Sequence, residues 1–539
     1  TYMCTASIGP GSLNMVTGAA LATTNRLPVL LFPSDQFATR VPDPVLQQLE
    51  DPTSLDVSVN DAFRPVSRFF DRINRPEQLI PSLLNAMRVL PDPAETGAVT
   101  IAMPQDVQAE VFDWPVEFFR KRVWHVRRPV PEPAALERAV ALIKAAKRPL
   151  IIAGGGTIYA GASEELRALA TATGIPVGDT QAGKGAINFD HPSAVGGVGS
   201  TGCDSGNHIA DKADLIIGVG TRYSDFTTAS KTQFKNPDVK FVNINVTPFD
   251  AAKESAEMVV ADAREALAAL KEALADYHVE AAYSEEITAE KEAWIKATER
   301  CYHLDHGPLP AQTEVFGALN ELMGEEDVVI NAAGSMPGDL QALWQARSPL
   351  QYHVEYAFSC MGYEVPAAMG VKLARPEAEV VAIVGDGTYQ MLPMELATVV
   401  QENIKVIYVL LQNYGFCSIG ALSESRGSQR FGTKYRQRGE GSHLADEQVI
   451  DGVDIAANAR SWGLDVLEVH TIAEFKEAYR KAEASDRPTM IHIETDLYGP
   501  NPPGSSWWDV PVSGVSELES TQRAYEEYLR DRKPQRHYL

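Results

Sequence analysis

The sequence predicts an α/β protein of three doubly wound parallel sheets, for three reasons. Short apolar runs rich in β-branched residues alternate with segments of helical periodicity along most of the chain, which is the pattern of parallel strands joined by crossover helices. Several of these runs end in glycine-rich turns, where parallel sheets bind ligands. At 539 residues, the chain is also too long for one hydrophobic core.

The first domain is predicted over residues 1–119. Its strands include the apolar runs at residues 1–7, 27–32 and 98–103. Because the chain starts within a strand and without an initiator methionine, we expect the N-terminal part of this domain to lie upstream of Thr1. A connector rich in proline and arginine follows at residues 120–133.

The second domain is predicted over residues 134–275. Its strands include the apolar runs at residues 149–153, 215–219 and 240–244. A helix at residues 263–274, rich in alanine, leucine and glutamate, closes it. A charged helical segment at residues 285–300 then leads to His306, and we expect this segment to wrap around or bridge the flanking domains.

The third domain is predicted over residues 306–500, with a tail at residues 501–539. Its strands include the apolar runs at residues 327–330, 379–384 and 405–411. The tail is rich in proline, glycine and tryptophan and ends in a polar helix. Its Trp507 and Trp508 either help to close a site or staple the tail to the body of the protein.

The composition excludes several classes of partner. The net charge of −24 would be repelled by a nucleic-acid backbone or an anionic membrane, so neither is expected as a partner. No apolar stretch approaches the roughly 18 residues that span a bilayer, and no signal peptide is visible. The cysteines are scattered without metal-ligand spacing, which favours a reduced, cytoplasmic location. They are Cys4, Cys203, Cys301, Cys360 and Cys417.

The segment that indicates chemistry lies in the third domain. An apolar strand ends at Gly385-Asp386-Gly387-Thr388, residues 391–401 have helical spacing, and a second apolar strand ends at Asn413. In such a β-α-β unit both strand ends meet at one edge of the sheet, so Asp386 and Asn413 are predicted to lie close together. A carboxylate and an amide oxygen suit Mg²⁺, which takes one or two protein ligands beside phosphate oxygens and water.

Glycines flank Asp386 and would allow a diphosphate to approach the backbone. A Gly-Asp-Gly triplet alone is usually a turn, but here 25 residues separate Gly387 from Asn413 and an apolar strand precedes each predicted ligand. This arrangement resembles the signature of the thiamine-diphosphate enzymes, and the resemblance implies thiamine diphosphate and Mg²⁺ as cofactors. It implies cofactor contacts from Gly385, Asp386, Gly387, Thr388, Asn413 and Gly415, of which Asp386, Asn413 and the Gly415 carbonyl would bind the metal.

Other segments agree with this family and imply its pyrimidine-binding, central and diphosphate-binding domains. Residues 8–14 and 102–108 resemble the glycine-rich turn and the end of the pyrimidine-binding domain in acetolactate-synthase-like members. Residues 358–362 resemble the segment that props the cofactor in its bent form. Met361 would then be the prop, with ordinary core packing as the alternative, and the Ser359 carbonyl would accept a hydrogen bond from the aminopyrimidine. Ser335 lies where the family holds the diphosphate.

The family also has an activating glutamate in the pyrimidine-binding domain, upstream of the glycine-rich turn. In this sequence that position falls before Thr1, and Glu50 is the first glutamate of the chain. Little or no turnover is therefore expected of a protein made of these residues alone. The family further implies a homodimer or homotetramer, since its cofactor lies between the first domain of one subunit and the third domain of another.

Four stretches closely resemble one branch of the family, the ring-opening hydrolases of inositol catabolism. They are residues 35–48, 331–336, 353–356 and 507–512. The branch hydrolyses a six-membered cyclic diketone to 5-deoxyglucuronate, and such a polyol-like substrate needs several hydrogen-bond partners. Candidates for this role, each of a kind more often structural, are Gln47, Gln48, His353, Glu355 and residues 432–436.

Two alternatives remain open from the sequence. One is an acetolactate-synthase-like carboligase or a 2-oxo-acid decarboxylase. The other is a protein that binds thiamine diphosphate without catalysis.

Two further patterns carry less weight. Residues 197–202 have the spacing of a dinucleotide fingerprint, but no clear strand is predicted before them, so the match is weak. Related synthases hold FAD around the central domain, and a retained or relic flavin site here is a second possibility. His303 and His306 are the closest approach to a histidine cluster, and both are expected to be solvated in the linker.

Overall fold

The computed structural model describes residues 3–41, 43–436 and 453–536. Its strands form three parallel sheets. All pairings between these strands are parallel, which confirms the predicted fold class. The chain divides into two compact units, Thr1–Arg128 and Pro129–Leu539. The limits that the sequence analysis gave for three domains are not tested by this division and stay a prediction. Among the described residues, no helix has both the length and the apolar character to cross a bilayer.

The first unit contains one sheet. Its strands are β1 (Met3–Ala6), β2 (Val29–Asp35), β3 (Phe69–Arg72) and β4 (Ala98–Pro104), in the order β1-β2-β4-β3. Its helices are α1 (Pro10–Leu13), α2 (Met15–Asn25) and α3 (Leu79–Val89). The turn expected after the first strand begins α1, because Pro10 takes the first helical position, where its missing N–H is not needed.

The second unit begins with a six-stranded sheet. Its strands are β5 (Pro149–Ala153), β6 (Val177–Asp179), β7 (Ala194–Gly197), β8 (Leu215–Val219), β9 (Lys240–Asn245) and β10 (Glu257–Val260), in the order β10-β9-β8-β5-β6-β7. Its helices are α4 (Pro133–Ala145), α5 (Gly155–Tyr159), α6 (Ser163–Thr173), α7 (Asp204–Lys212), α8 (Pro248–Ala251) and α9 (Ala263–Ala273). The central strands β5 and β8 are fully buried, as continuous apolar runs in a parallel sheet should be.

Helix α10 (Ala281–Tyr302) joins this sheet to the next one. Its first half packs Tyr283 into the core of the β5–β10 sheet. In its second half the Trp294 indole donates to the Ala342 carbonyl at 2.8 Å, and the Tyr302 hydroxyl donates to the Leu343 carbonyl at 2.7 Å. The charged segment expected to bridge two domains is therefore a helix with an anchor in each core.

The third sheet has six strands. They are β11 (Val328–Asn331), β12 (Tyr352–Val354), β13 (Val380–Gly385), β14 (Ile407–Gln412), β15 (Asp465–Val469) and β16 (Thr489–Glu494), in the order β12-β11-β13-β14-β16-β15. The helices around it are α11 (Gln312–Leu322), α12 (Met336–Leu343), α13 (Glu364–Ala374), α14 (Asp386–Met391), α15 (Glu395–Gln401), α16 (Cys417–Ser425), α17 (Ile455–Ser461) and α18 (Ile472–Ala484). The single helix expected at residues 391–401 is two helices, because the backbone leaves the helical conformation at Leu392 and Pro393 follows.

The tail returns to the β5–β10 sheet and ends in helix α19 (Glu519–Asp531). The Trp508 indole donates to Asp225 at 2.9 Å, and the Asp509 N–H donates to the Ser230 hydroxyl at 2.9 Å. The Trp507 ring lies 6.2 Å from the Tyr528 ring of α19. These contacts agree with the interpretation that the two tryptophans staple the tail to the body.

His306 is only partly solvated, less than expected for a linker residue. Its Nε2 shares a hydrogen bond of 2.8 Å with Asp496 Oδ2, and the side chain is 27% exposed. His303 is 67% exposed. Burial alone would raise the pKa of Asp496, but the hydrogen bonds from His306 and the Tyr498 N–H outweigh it, so the pKa lies below its usual value.

Replacing His306 with alanine should therefore lower the free energy of unfolding by about 1 kcal/mol at pH 7. A carboxyl with a lowered pKa stabilises the fold above its unfolded pKa, so the loss should shrink as the pH falls through the acid range. Thermal unfolding of His306→Ala beside His303→Ala measures the difference. Equal effects of the two substitutions would contradict the pairing.

Candidate functional site

Asp386 and Asn413 meet at the carboxyl edge of the third sheet. Strands β13 and β14 pair in parallel up to Gly385 and Leu411, so the two chains leave the sheet side by side. Asp386 Oδ1 accepts the Gly387 N–H at 2.8 Å. Asp386 Oδ2 accepts the N–H groups of Asn413 at 3.1 Å and Tyr414 at 2.6 Å. The structure therefore brings together the two residues that the sequence predicted to be neighbours.

The electrostatics of this pair fit a hard cation. Asp386 is 1% exposed, and burial raises the pKa of its carboxyl to about 6 despite several backbone N–H donors. Asn413 Oδ1 is buried and has no hydrogen-bond partner among the described residues. A buried amide oxygen without a partner is costly unless another group, such as a cation, binds it. Among the described residues, no three His, Cys, Asp or Glu side chains converge, so a cation here would need other oxygen ligands besides the Asp386 carboxylate.

The backbone around the pair is tightly built. A Cβ on Gly415 would lie 2.4 Å from the Thr433 carbonyl oxygen, and a Cβ on Gly387 would lie 2.8 Å from the Phe416 ring. Only glycine fits either position without displacing these neighbours. Thr388 is buried in the first turn of α14, and Gly385 immediately precedes that helix.

Ser335 lies in the turn between the neighbouring strand β11, which ends at Asn331, and α12, which begins at the next residue. Its hydroxyl is hydrogen-bonded to Gln312 Oε1 at 3.3 Å. Gly334 beside it has a φ of 101°, and no atom lies within 4 Å of the position of a Cβ. The backbone next to Ser335 therefore borders open space, as a position predicted to hold a diphosphate requires.

Glu355, for which a substrate contact stays a prediction, is engaged with the backbone of its own loop. It is 2% exposed, and its carboxylate accepts the Phe358 N–H at 2.9 Å and the Cys360 N–H at 2.7 Å. These bonds hold Ser359 between them with a φ of 59°, which is uncommon for a residue other than glycine. Glu355 thus fixes the turn that carries the predicted Ser359 and Met361 contacts. Met361 is half-buried, so full core packing does not account for it.

His353 is also engaged within the protein. Its Nε2 shares a hydrogen bond of 2.7 Å with the Tyr363 hydroxyl, and the two rings are stacked with centroids 5.8 Å apart. Burial lowers the pKa of the imidazole, and the nearby Glu355 opposes this shift only in part. A neutral His353 is therefore expected at pH 7.

Gln47 and Gln48 belong to the Thr1–Arg128 unit. Gln47 is exposed and has a φ of 64°, and its carbonyl oxygen would lie 2.4 Å from a Cβ on Gly9. Gln48 Oε1 is buried and has no hydrogen-bond partner among the described residues. The substrate roles of both residues stay predictions.

Glu364, for which the sequence analysis made no prediction, lies close to this edge in the structure. It is fully buried in the first turn of α13, and its Oε1 accepts the Ala333 N–H at 3.4 Å. Burial raises the pKa of its carboxyl to about 7, although the N–H groups of Ala333, Gly362 and Ala332 oppose the shift. One feature of the sequence could have indicated a buried carboxyl here. Glu364 is the single charged residue in the run from Gly362 to Ala368.

The glycine segment at residues 197–202 does follow a strand, contrary to expectation, since β7 ends at Gly197 and α7 begins at Asp204. Its glycines nevertheless pack against backbone of the same chain and do not border open space. A Cβ on Gly199 would lie 2.0 Å from the Phe226 carbonyl oxygen, and a Cβ on Gly504 would lie 2.1 Å from the Asp204 nitrogen. Backbone from the tail therefore covers the start of α7, where a dinucleotide phosphate would bind.

Comparison with known proteins identifies relatives over nearly the whole chain. Residues 136–270 match the family described as "Thiamine pyrophosphate enzyme, central domain", and residues 332–493 match "Thiamine pyrophosphate enzyme, C-terminal TPP binding domain". Three proteins named 3D-(3,5/4)-trihydroxycyclohexane-1,2-dione hydrolase align with 99% of this chain and 87% of their own length. They come from Bacillus cereus (strain AH820), at 46% identity, and from Bacillus anthracis (strain CDC 684 / NRRL 3495) and Bacillus thuringiensis (strain Al Hakam), both at 45%.

Proposed function

Because this chain belongs to the thiamine pyrophosphate enzymes, in the family of the trihydroxycyclohexane-1,2-dione hydrolases, we propose that it opens the ring of 3D-(3,5/4)-trihydroxycyclohexane-1,2-dione by hydrolysis. The product would be 5-deoxyglucuronate, formed in the degradation of inositol. The observation that carries the proposal is a relationship that extends over nearly the whole chain and not only over the cofactor domains. No observation favours a carboligase, a decarboxylase or a non-catalytic binding protein.

The proposal includes Mg²⁺ and the diphosphate at the carboxyl edge of the third sheet. Asp386, the orphan Asn413 Oδ1 and the Gly415 carbonyl would bind the metal. The buried carboxylate and the unpaired amide oxygen support this role, since both would gain a partner from the cation. The diphosphate would lie along the backbone of Gly385, Gly387 and Thr388 and reach Ser335.

When bound, thiamine diphosphate supplies a carbanion that attacks a carbonyl and lets the adjacent carbon–carbon bond break. The residues of this chain bind and orient the reactants. Glu355 holds the turn of Ser359 and Met361, so the predicted contacts with the pyrimidine end are set before the substrate arrives. A neutral His353 can share a proton with Tyr363 but carries no charge toward an uncharged diketone. Hydrolysis adds a hydroxyl group to one carbonyl carbon and a hydrogen to the other.

The direct test supplies the intact enzyme, with thiamine diphosphate and Mg²⁺, with either the cyclic dione or pyruvate. We expect the dione to be converted to an open-chain acid and pyruvate to be left unchanged, because a pocket for a polyol ring leaves its polar groups unpaired around a small 2-oxo acid. Mass spectrometry of the products distinguishes the two. Acetolactate or carbon dioxide from pyruvate, without ring opening of the dione, would refute the assignment.

We also propose a homodimer or homotetramer in the cytoplasm. The family places its cofactor between subunits, and all five cysteines are free, as in a reducing compartment. Analytical ultracentrifugation of the enzyme with thiamine diphosphate and Mg²⁺ bound tests the oligomeric state. A measured mass of one chain would contradict the proposal.

A further inference from the structure

A second segment is hydrogen-bonded to the loop that carries Asn413. Gly415 and Lys434 form an antiparallel bridge. On either side of it the Phe416 N–H donates to the Thr433 carbonyl at 2.7 Å, and the Tyr435 N–H donates to the Tyr414 carbonyl at 2.8 Å. These backbone bonds fix the position of Tyr435 relative to the proposed metal ligands, independently of its side chain.

The Tyr435 side chain extends over the glycine next to Asp386. A Cβ on Gly387 would lie 3.4 Å from the Tyr435 hydroxyl oxygen. The Tyr435 ring meets the Phe416 ring edge-on, with centroids 5.9 Å apart. The phenol is therefore held above the backbone of Gly387, with an aromatic ring on one side.

Within the described part of the chain, no partner accounts for the position of the Tyr435 hydroxyl. It is buried, and it makes no hydrogen bond among the described residues. Buried tyrosine hydroxyls usually find a partner, and one left without a partner costs about 1–3 kcal/mol. Nearby Asp386 accepts backbone N–H groups on both of its oxygens. The oxygens of Asp386 are thus already engaged, and the described residues provide no other acceptor for the Tyr435 hydroxyl.

From this geometry we propose that the Tyr435 hydroxyl donates a hydrogen bond to a diphosphate oxygen of the cofactor. The inference rests on the proposed function, which places the diphosphate along Gly387. A phenol suits this task because it donates a hydrogen bond without adding a positive charge beside Mg²⁺. Tyr435 is then a cofactor-binding residue supplied by a segment 22 positions after Asn413.

Replacing Tyr435 with phenylalanine should weaken binding of thiamine diphosphate about tenfold at saturating Mg²⁺, because one hydrogen bond to a charged oxygen is lost. Isothermal titration calorimetry measures this loss without any turnover. Inorganic pyrophosphate with Mg²⁺ should lose a similar factor, while binding of Mg²⁺ alone should not change. A loss confined to Mg²⁺ alone would assign the hydroxyl to a metal-bound water and overturn the inference.

Tyr479→Phe provides a matched control. The Tyr479 hydroxyl is also buried without a described partner, but it lies in α18, near Asp327 and Glu379 at the amino ends of β11 and β13. We expect this variant to bind thiamine diphosphate as the parent does. An equal loss in the two variants would show a general effect of removing a phenol and would refute the specific role.

Thermal unfolding without cofactor completes the test. Tyr435→Phe should not lower the unfolding temperature of the free protein, since the hydroxyl makes no hydrogen bond to any residue that the structure describes. A lowered temperature would reveal such a partner and overturn the inference. If the parent itself binds no thiamine diphosphate, the proposed function fails. If the parent binds it and Tyr435→Phe binds equally well, only the role of Tyr435 fails.

Discussion

Replacing Asp386 with alanine is expected to abolish Mg²⁺-dependent binding of thiamine diphosphate. The substitution removes the one carboxylate of the proposed metal site and the acceptor of three backbone N–H groups in the loop. Loss of a group that only supports a metal ligand costs about 10- to 100-fold in affinity, so loss of the ligand itself should cost at least about 100-fold. Calorimetric titration with thiamine diphosphate, with and without Mg²⁺, measures this change.

Asp465→Ala is the control for Asp386→Ala. Asp465 is the first residue of β15, at the amino end of the same sheet, and it pairs with Arg487 at 3.0 Å on the surface. Its removal should leave cofactor affinity unchanged, because a surface ion pair contributes little and lies at the wrong edge. Full affinity in Asp386→Ala would remove the basis of the assigned metal site.

The second large effect expected is a gain in stability when Glu364 becomes glutamine. Burial raises the pKa of Glu364 from 4.5 to about 7. Below pH 4.5 the carboxyl is protonated in both folded and unfolded protein. Between 4.5 and 7 the unfolded chain releases its proton while the folded one keeps it, so folding loses up to about 3 kcal/mol as the pH rises through this window.

Glu364→Gln should remove this penalty, because the amide stays neutral and its oxygen can still accept the Ala333 N–H. The free energy of unfolding should rise by about 3 kcal/mol at pH 8 and by less than about 1 kcal/mol at pH 5. Denaturant unfolding of the cofactor-free protein at the two pH values tests this, with exposed Glu402→Gln as the control. A gain that does not depend on pH would contradict the raised pKa.

Short-range patterns explain what the sequence predicted correctly. The apolar runs that became β13 and β14 each end in a polar residue, and the parallel pairing rule then requires Asp386 and Asn413 to meet. Neither step needs information from distant parts of the chain. The same holds for the strands predicted in the three sheets, since each of those is a recognisable apolar run between turns, whereas β7 (Ala194–Gly197) is not.

Other roles depend on contacts that no local pattern encodes. The Glu355 carboxylate accepts the N–H groups of residues 358 and 360, a role that the spacing of the sequence does not indicate. The backbone that packs over the start of α7 belongs to Gly504, about three hundred positions further along the chain. Tyr435 stands beside Gly387 only because a single bridge pairs Lys434 with Gly415. Such contacts follow from the folded arrangement and not from spacing.

The way α10 spans two cores has a consequence for how this protein can be recombined with its relatives. Trp294 and Tyr302 donate to carbonyls beside the third sheet, while Tyr283 packs with the β5–β10 sheet. The Gln341 side-chain amide, in α12 beside the third sheet, donates hydrogen bonds of 3.3 Å to the carbonyls of Asp179 and Val198. Because the acceptors are backbone carbonyls, a chimera keeps these bonds only if the foreign sheet places its backbone within reach of the same donors. A crossover point outside the two sheets avoids this requirement.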